Sequence, residues 1–312
     1  MGRLEAENVI TVAIPTFERG RVLVRTIDRL LALDPRPGII VADQTPLHPG
    51  EVETRLREWE SHHLIRRLRL PAPSIPMAMN QALLAAATPL VLFLDDDVEF
   101  DDSLLPAHIA AHGREDVWAV AGQVLERGEH PQHHAQEADP LRFRFNHDTG
   151  CFVTNVMAGN LSVKRDRALR IGGFDEHFVG AAYRFETDFA LRLTGAGGRI
   201  WFEPAASIRH LKVEEGGIRS HGDHRTTASP AHAVGDYYFA IRHGRPFAAY
   251  AIRRVIANVL TRYHLRHPWA IPAKLLAEWR GIALAKRLAR KPPKLIGGNS
   301  SATSDFPPAE AP

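Results

Sequence analysis

Three consecutive carboxylates, Asp95-Asp96-Asp97, follow the apolar run Leu90-Val91-Leu92-Phe93-Leu94 without a break. An apolar run of that length reads as a strand buried on both faces of a mostly parallel sheet. Carboxylates at its C-terminal end fall where open α/β sheets bind ligands, in the crevice beyond the strand ends. Adjacent aspartates repel one another unless a cation offsets their charge. The chemistry to which this points is a divalent metal holding a phosphorylated ligand. The local sequence fits a second reading equally, a solvated acidic turn extended by Asp101 and Asp102 with Ser103 capping the next helix.

The surrounding elements bear on that choice. A β-branched run over residues 9–14 predicts a strand, broken by Pro15-Thr16. Val22, Leu23, Thr26, Ile27, Leu30 and Leu31 carry a helical period, and residues 38–42 predict a second strand ending at Asp43. A helix over 51–60, a short strand over 65–70 and a helix over 76–87 lead into the run that ends in the aspartates. Strands alternating with helix-length segments imply right-handed βαβ crossovers and a parallel sheet. Asp43, the triplet and the loop Pro15-Thr16-Phe17-Glu18-Arg19 then share one sheet edge. Taken singly, Asp43 reads as a turn residue before Pro46. Residues 119–124 predict a further strand. His130, His133, His134 and His147 match no zinc spacing, so the stretch 126–148 predicts a mobile polar loop.

The composition narrows the classes. A chain of 312 residues can build one large α/β domain plus an extension. A net charge of +3 gives no argument for nucleic acid, and none is expected as a partner. The single Cys151 excludes an internal disulfide and a multi-cysteine zinc site, and suits a reducing compartment. No signal-like N-terminus and no apolar run near the ~20 residues of a membrane span are present, so the expected location is cytoplasmic.

The series of motifs resembles the family 2 inverting glycosyltransferases with the GT-A fold. Val12-Ala13-Ile14-Pro15-Thr16-Phe17-Glu18-Arg19 is similar to that family's first strand and loop, and Asp43 falls where it places an aspartate after the second strand. Residues 76–80 resemble its Ala-Arg-Asn segment with Met79 in place of the arginine, and residues 93–98 resemble its Asp-x-Asp motif. Gly172-Gly173-Phe174-Asp175-Glu176 resembles the acceptor-side element, followed by residues 185–193, where the family reads Glu-Asp-x-Asp-Leu-x-x-Arg. Aligned on Arg192, Glu186 stands at the family's usual catalytic aspartate and Asp188 at the second one. Pro204, His210, Gly216-Gly217 and Arg219 resemble the closing motif. Each motif is weak alone; the ordered series over residues 9–220 is specific.

The resemblance implies an α/β fold of GT-A type: a mostly parallel nucleotide-binding sheet flanked by helices. It implies a donor half at about 1–125 and an acceptor half at about 126–240. Its activity would be inverting transfer of a hexosyl or deoxyhexosyl group from a nucleotide diphosphate sugar, UDP- or dTDP-linked, to a saccharide or lipid-linked acceptor. Cell-surface polysaccharide or glycolipid synthesis is the setting expected. Mg²⁺ or Mn²⁺ would be held by Asp97 with Asp95 and His210. Pro15, Thr16, Glu18, Asp43, Asn80, Asp95, Asp96 and Arg219 would bind the nucleotide sugar. Glu186 is the expected base and Asp188 the reserve. The rivals are a non-catalytic nucleotide-sugar-binding module of the same fold and a nucleotidyltransferase, although the latter generally needs a glycine-rich loop that Pro15-Thr16 does not supply.

Residues 241–295 form a basic amphipathic extension. Its many arginines and lysines accompany one acid, Glu278, and its apolar periodicity predicts two helices broken at His267-Pro268. Two readings stand: docking on the inner face of an anionic membrane, or a helical cap on the catalytic domain. The Ser/Pro/Ala tail from 296 to 312 is expected to be disordered.

Overall fold

The computed structural model describes residues 9–134, 143–213, 215–217 and 223–297. Strand β1 (Ile10–Thr16) is almost wholly buried, and β4 (Leu90–Leu94) is buried at every position. Between them lie α1 (Gly20–Leu31), β2 (Gly38–Asp43), α2 (Gly50–Ser61), β3 (Arg66–Arg69) and α3 (Ile75–Ala85). Leu23, Ile27 and Leu30 of α1 are buried at helical spacing, so one apolar stripe seats it on the sheet. Ser74 caps α3 by accepting from the Met77 N–H, and Pro76 occupies its first turn, where no backbone donor is needed.

The remaining sheet strands are β5 (Val98–Phe100), β6 (Val117–Glu126), β7 (Cys151–Val153), β8 (Asn160–Lys164) and β9 (Arg199–His210), with α4 (Leu104–Ala111) between β5 and β6. The strand order is β3-β2-β1-β4-β8-β6-β9-β5, with β7 on β9. Strands β1 to β4 pair in parallel, whereas β8 runs antiparallel to both β4 and β6. The sheet as a whole is therefore mixed, parallel from β3 to β4 and with antiparallel pairs beyond. This matters for the site, because Leu94 pairs with Asn160 and Val98 pairs with His210. Antiparallel entry of β8 and the end of β9 both arrive beside the aspartates.

Helices α5 (Arg165–Arg170) and α6 (Phe185–Gly195) cover the acceptor half, where Phe174 stands edge-on to Phe93 at 5.4 Å and stacks on Phe189 at 4.4 Å. The helix α7 (Val234–His243) runs through the boundary expected at residue 240. Gly244, at φ 72°, turns the chain into α8 (Arg245–Val259), followed by α9 (Arg262–Arg266), a 3₁₀ turn at Pro268–Ala270 and α10 (Ile271–Ala289). The first of the two helices expected here is thus divided before His267. Helix α10 approaches α7 closely because Gly281 lacks a Cβ, which would stand 2.7 Å from that of Ala233. Among the described residues no helix is long and apolar enough to cross a membrane. Residues 298–312, most of the tail read as disordered, lie outside those described.

Candidate active site

The aspartates occupy the turn between β4 and β5, and each has a different environment. Asp96 is buried: its Oδ2 accepts from Thr16 Oγ1 at 2.6 Å, and Arg19 Nη1 lies 3.2 Å from its Oδ1. Burial pushes its carboxyl up to about 7, outweighing Thr16 and Arg19. Asp97 is fully buried; its backbone carbonyl accepts from Leu211 N–H and its Oδ2 from Val213 N–H at 3.1 Å. Burial works to raise its pKa, but the imidazole of His210 and the charge of Arg19 hold it below the ordinary range. Asp95 is half exposed and faces the cavity.

His210 comes to the turn through the β5–β9 pairing, with Nε2 at 3.1 Å from Asp97 Oδ1 and 3.5 Å from Asp95 Oδ2. Burial depresses its pKa, yet Asp97 and Asp95 outweigh that and raise it. Arg19 ties three segments together, since its Nε and Nη2 also donate to the carbonyls of Glu215 and Val213.

The residues present fit a divalent cation. Ligand atoms of Asp95, Asp97 and His210 all lie within 4.8 Å of one another. Asp97 Oδ1 is buried and has Arg19 and His210 at 3.1 Å, but neither is aligned as a hydrogen bond. Two carboxylates and one imidazole form a donor set suited to Mg²⁺ or Mn²⁺. Gly159 leaves room for Asp95: a Cβ there would stand 2.2 Å from Asp95 Oδ2. Its carbonyl also accepts from the Asp95 N–H at 3.1 Å.

A cavity of about 1260 Å³ runs from Pro15, Thr16 and Gln44, past Asp95, Asp96 and His210, to Glu186 and on to α8. Glu186 sits in the first turn of α6, where Arg184, in the left-handed region at φ 72°, sets the approach to the helix. Its Oε1 accepts from the Ala158 N–H at 3.3 Å, which holds it beside the Gly159 turn. Asp188 does not line the cavity. Its carboxylate is buried between Arg192 at 2.8 Å and His243 at 2.9 Å, and these partners keep its pKa low against the effect of burial. Arg192 also donates to the carbonyls of Ile171 and Gly173, so Asp188 anchors the Gly172–Glu176 element from behind.

Three other expected residues lie away from the cavity. Asn80 is fully buried and spans Phe174 N–H, Phe174 carbonyl and Glu176. Asp43 accepts from Thr45 N–H and His48 and pairs with Arg67 at 2.7 Å, all beneath the first loop. Glu18 is exposed, and its N–H donates to Thr45 Oγ1. Arg219 lies outside the described residues. Two residues that were not anticipated do line the cavity. One is Arg19, visible in the sequence as the end of the first-loop motif. The other is Gln44, whose Oε1 accepts from Ser74 N–H, so its amide nitrogen is the end left over, buried and without a partner among the described residues. Residue types alone give no sign of that second arrangement.

A solved mannosyltransferase from Pyrobaculum calidifontis, in complex with GDP-Man and Mn²⁺, is 18% identical, with a TM-score of 0.52 over 92% of this chain and 80% of that one. Staphylococcus aureus TarS in complex with UDP-GlcNAc is 14% identical, with a TM-score of 0.54 over 87% and 73%. At such identities the likeness is one of fold, and the fold is GT-A. No curated protein matches the sequence. The model described as Glycosyl transferase family 2 matches residues 11–188, more than half of the 312, and the chain belongs to that family.

Proposed function

We propose that this glycosyltransferase moves a sugar with inversion from a nucleotide diphosphate sugar to an acceptor hydroxyl, assisted by Mg²⁺ or Mn²⁺. The observation that carries the reading is the single cavity in which Asp95 and His210 stand at the donor end and Glu186 faces in beyond them. Asp95, Asp97 and His210 would hold the divalent cation, which when bound would supply Lewis-acid stabilisation of charge on the leaving diphosphate. Thr16, Arg19 and Asp96 lock the turn that presents those ligands. Glu186 takes the acceptor proton, since its carboxylate faces the cavity while that of Asp188 is held by Arg192 and His243.

For the donor we propose a UDP- or dTDP-linked sugar. The unpartnered Gln44 amide beside Pro15 and Thr16 supports it as a donor to a ring carbonyl of uracil or thymine. Asp43 and Asn80 act one layer behind, by fixing the first loop and the Gly172–Glu176 element.

We also place the protein at an anionic membrane surface, in polysaccharide or glycolipid synthesis. Ile252, Ile256, Leu260, Leu265, Trp269 and Trp279 are exposed on the C-terminal helices, the two tryptophans at 72% and 66%. The one acid of the extension, Glu278, is buried in ion pairs, so the exposed charge of this segment is entirely basic.

The catalytic assignment is tested by Glu186→Gln against Asp188→Asn, with transfer and the anomeric configuration of the product followed by NMR. Glu186→Gln should fold normally and lose about 100-fold or more in kcat with donor affinity kept, the range expected for a general base. Asp188→Asn should instead lower the melting temperature. Wild-type turnover by Glu186→Gln would remove it as the base.

A further inference from the structure

Among the described residues, the acceptor end of the cavity carries more positive charge than its own carboxylates balance. Four cations gather there: Arg184, Arg253, Arg254 and Lys274, all lining the cavity. Two carboxylates answer them among the described residues. Asp236 pairs with Arg254 at 2.7 Å and Arg184 at 3.3 Å, and Glu278 pairs with Lys274 at 3.0 Å and with Arg254. Arg254 is further fixed by donating to the His232 carbonyl at 2.7 Å, and Lys274 by donating to that of His224 at 3.1 Å. These groups form a rigid, mostly buried base.

Arg253 stands differently. It is exposed on α8, faces the cavity, and has no carboxylate within ion-pair distance among the described residues. Its neighbours one turn to either side, Ala249 and Ala257, also line the cavity, and their small side chains leave the guanidinium room. A planar fork of donors over a cationic base suits an oxyanion with several acceptor oxygens.

We propose that the C-terminal helices complete the acceptor site, and that the acceptor carries a phosphate group bound by Arg253. The inference rests on the glycosyltransfer reading above and assigns its acceptor class. Glu186 lies in the same cavity, two residues from Arg184 and bonded to Ala158 N–H beside the Gly159 turn that packs on Asp95, so the phosphate holds the acceptor while its hydroxyl meets the base. A free phosphorylated saccharide and a lipid-linked phosphate share this chemistry.

The test is calorimetry with a chelator present, so that no metal draws anions to the donor end. Glycerol 3-phosphate and short-chain dihexanoyl phosphatidic acid below its micelle concentration are titrated into wild type, Arg253→Ala, Arg253→Lys and Asp95→Asn. The expected result is binding to wild type that weakens about tenfold or more in Arg253→Ala, is partly restored in Arg253→Lys, and is unchanged in Asp95→Asn. Equal affinity for the two probes assigns a soluble acceptor, and tighter binding of the phosphatidic acid a lipid-linked one. Unchanged affinity in Arg253→Ala, or no binding to wild type, overturns the proposal. Binding of nucleotide sugars with Mn²⁺ is measured on the same preparations. Donor binding without Arg253-dependent phosphate binding rejects this inference alone, whereas phosphate binding with no donor rejects the transfer reading.

Discussion

Replacing Gly159 by alanine separates the metal site from the fold with one methyl group. A Cβ at this position would stand 2.2 Å from Asp95 Oδ2 and 2.7 Å from its Cγ. An ordinary contact needs roughly 3.4 Å, so the carboxylate must retreat by about 1.2 Å. Asp95 is half exposed, and the obstructed atoms are the end of a short side chain, so it can rotate toward solvent at small cost. The expected loss of stability is therefore below about 1 kcal/mol, the range for changes that neither open a cavity nor strand a charge. The metal site has no such tolerance, because ligands must be held within about 0.5 Å to bind well. Displacement of one ligand should weaken Mn²⁺ binding by about 10- to 100-fold, with a matching fall in transfer rate. Calorimetric titration of Mn²⁺, read beside thermal unfolding of the apoprotein, checks both halves. Wild-type Mn²⁺ affinity in Gly159→Ala would refute the placement of Asp95 in the site. A collapse of stability would show that Gly159 serves the fold instead.

Two further outcomes are expected. His108 is fully buried against Asn160 and Ser162, and burial lowers its pKa to about 4 although Asn160 pulls the other way. Its folded pKa lies below its unfolded value of about 6.5, so the associated stability is complete above that value. It is lost as pH falls toward 4, by about 3 kcal/mol, and denaturant unfolding should show the His108→Asn variant with a shallower slope over that window. At the C-terminal helices, flotation of the full chain with anionic vesicles should fall with added salt and be abolished by Trp269→Ser with Trp279→Ser. A wild-type chain that stays with the soluble fraction sinks the membrane assignment.

Much of the donor half was legible in the residues themselves. The strands β1, β2 and β4 stand where apolar runs end at Thr16, Asp43 and Asp95, and a parallel sheet sets those ends along one edge. Local pattern suffices there because each strand declares its own burial. The break near His267-Pro268 was legible for the same reason, since proline cannot continue a helix. The mixed character of the sheet was not, because nothing in Asn160–Lys164 says which way it will pair.

The same limit separates the roles of similar residues. Asp95, Asp96 and Asp97 are identical in type and adjacent in sequence, yet Asp95 is half exposed at the cavity, Asp96 is buried against Thr16 and Arg19, and Asp97 is wholly buried beside His210. Glu186 and Asp188 are two residues apart on α6, and helix geometry turns one toward the cavity and the other into Arg192 and His243. Ordered motifs along the chain determined the family and the sheet edge where its chemistry occurs. Only the tertiary structure decided which carboxylates face the cavity and which are buried in internal ion pairs. The partners that make that division, Arg19, His210 and His243, come from distant segments, and β-pairing and helix packing bring them within reach.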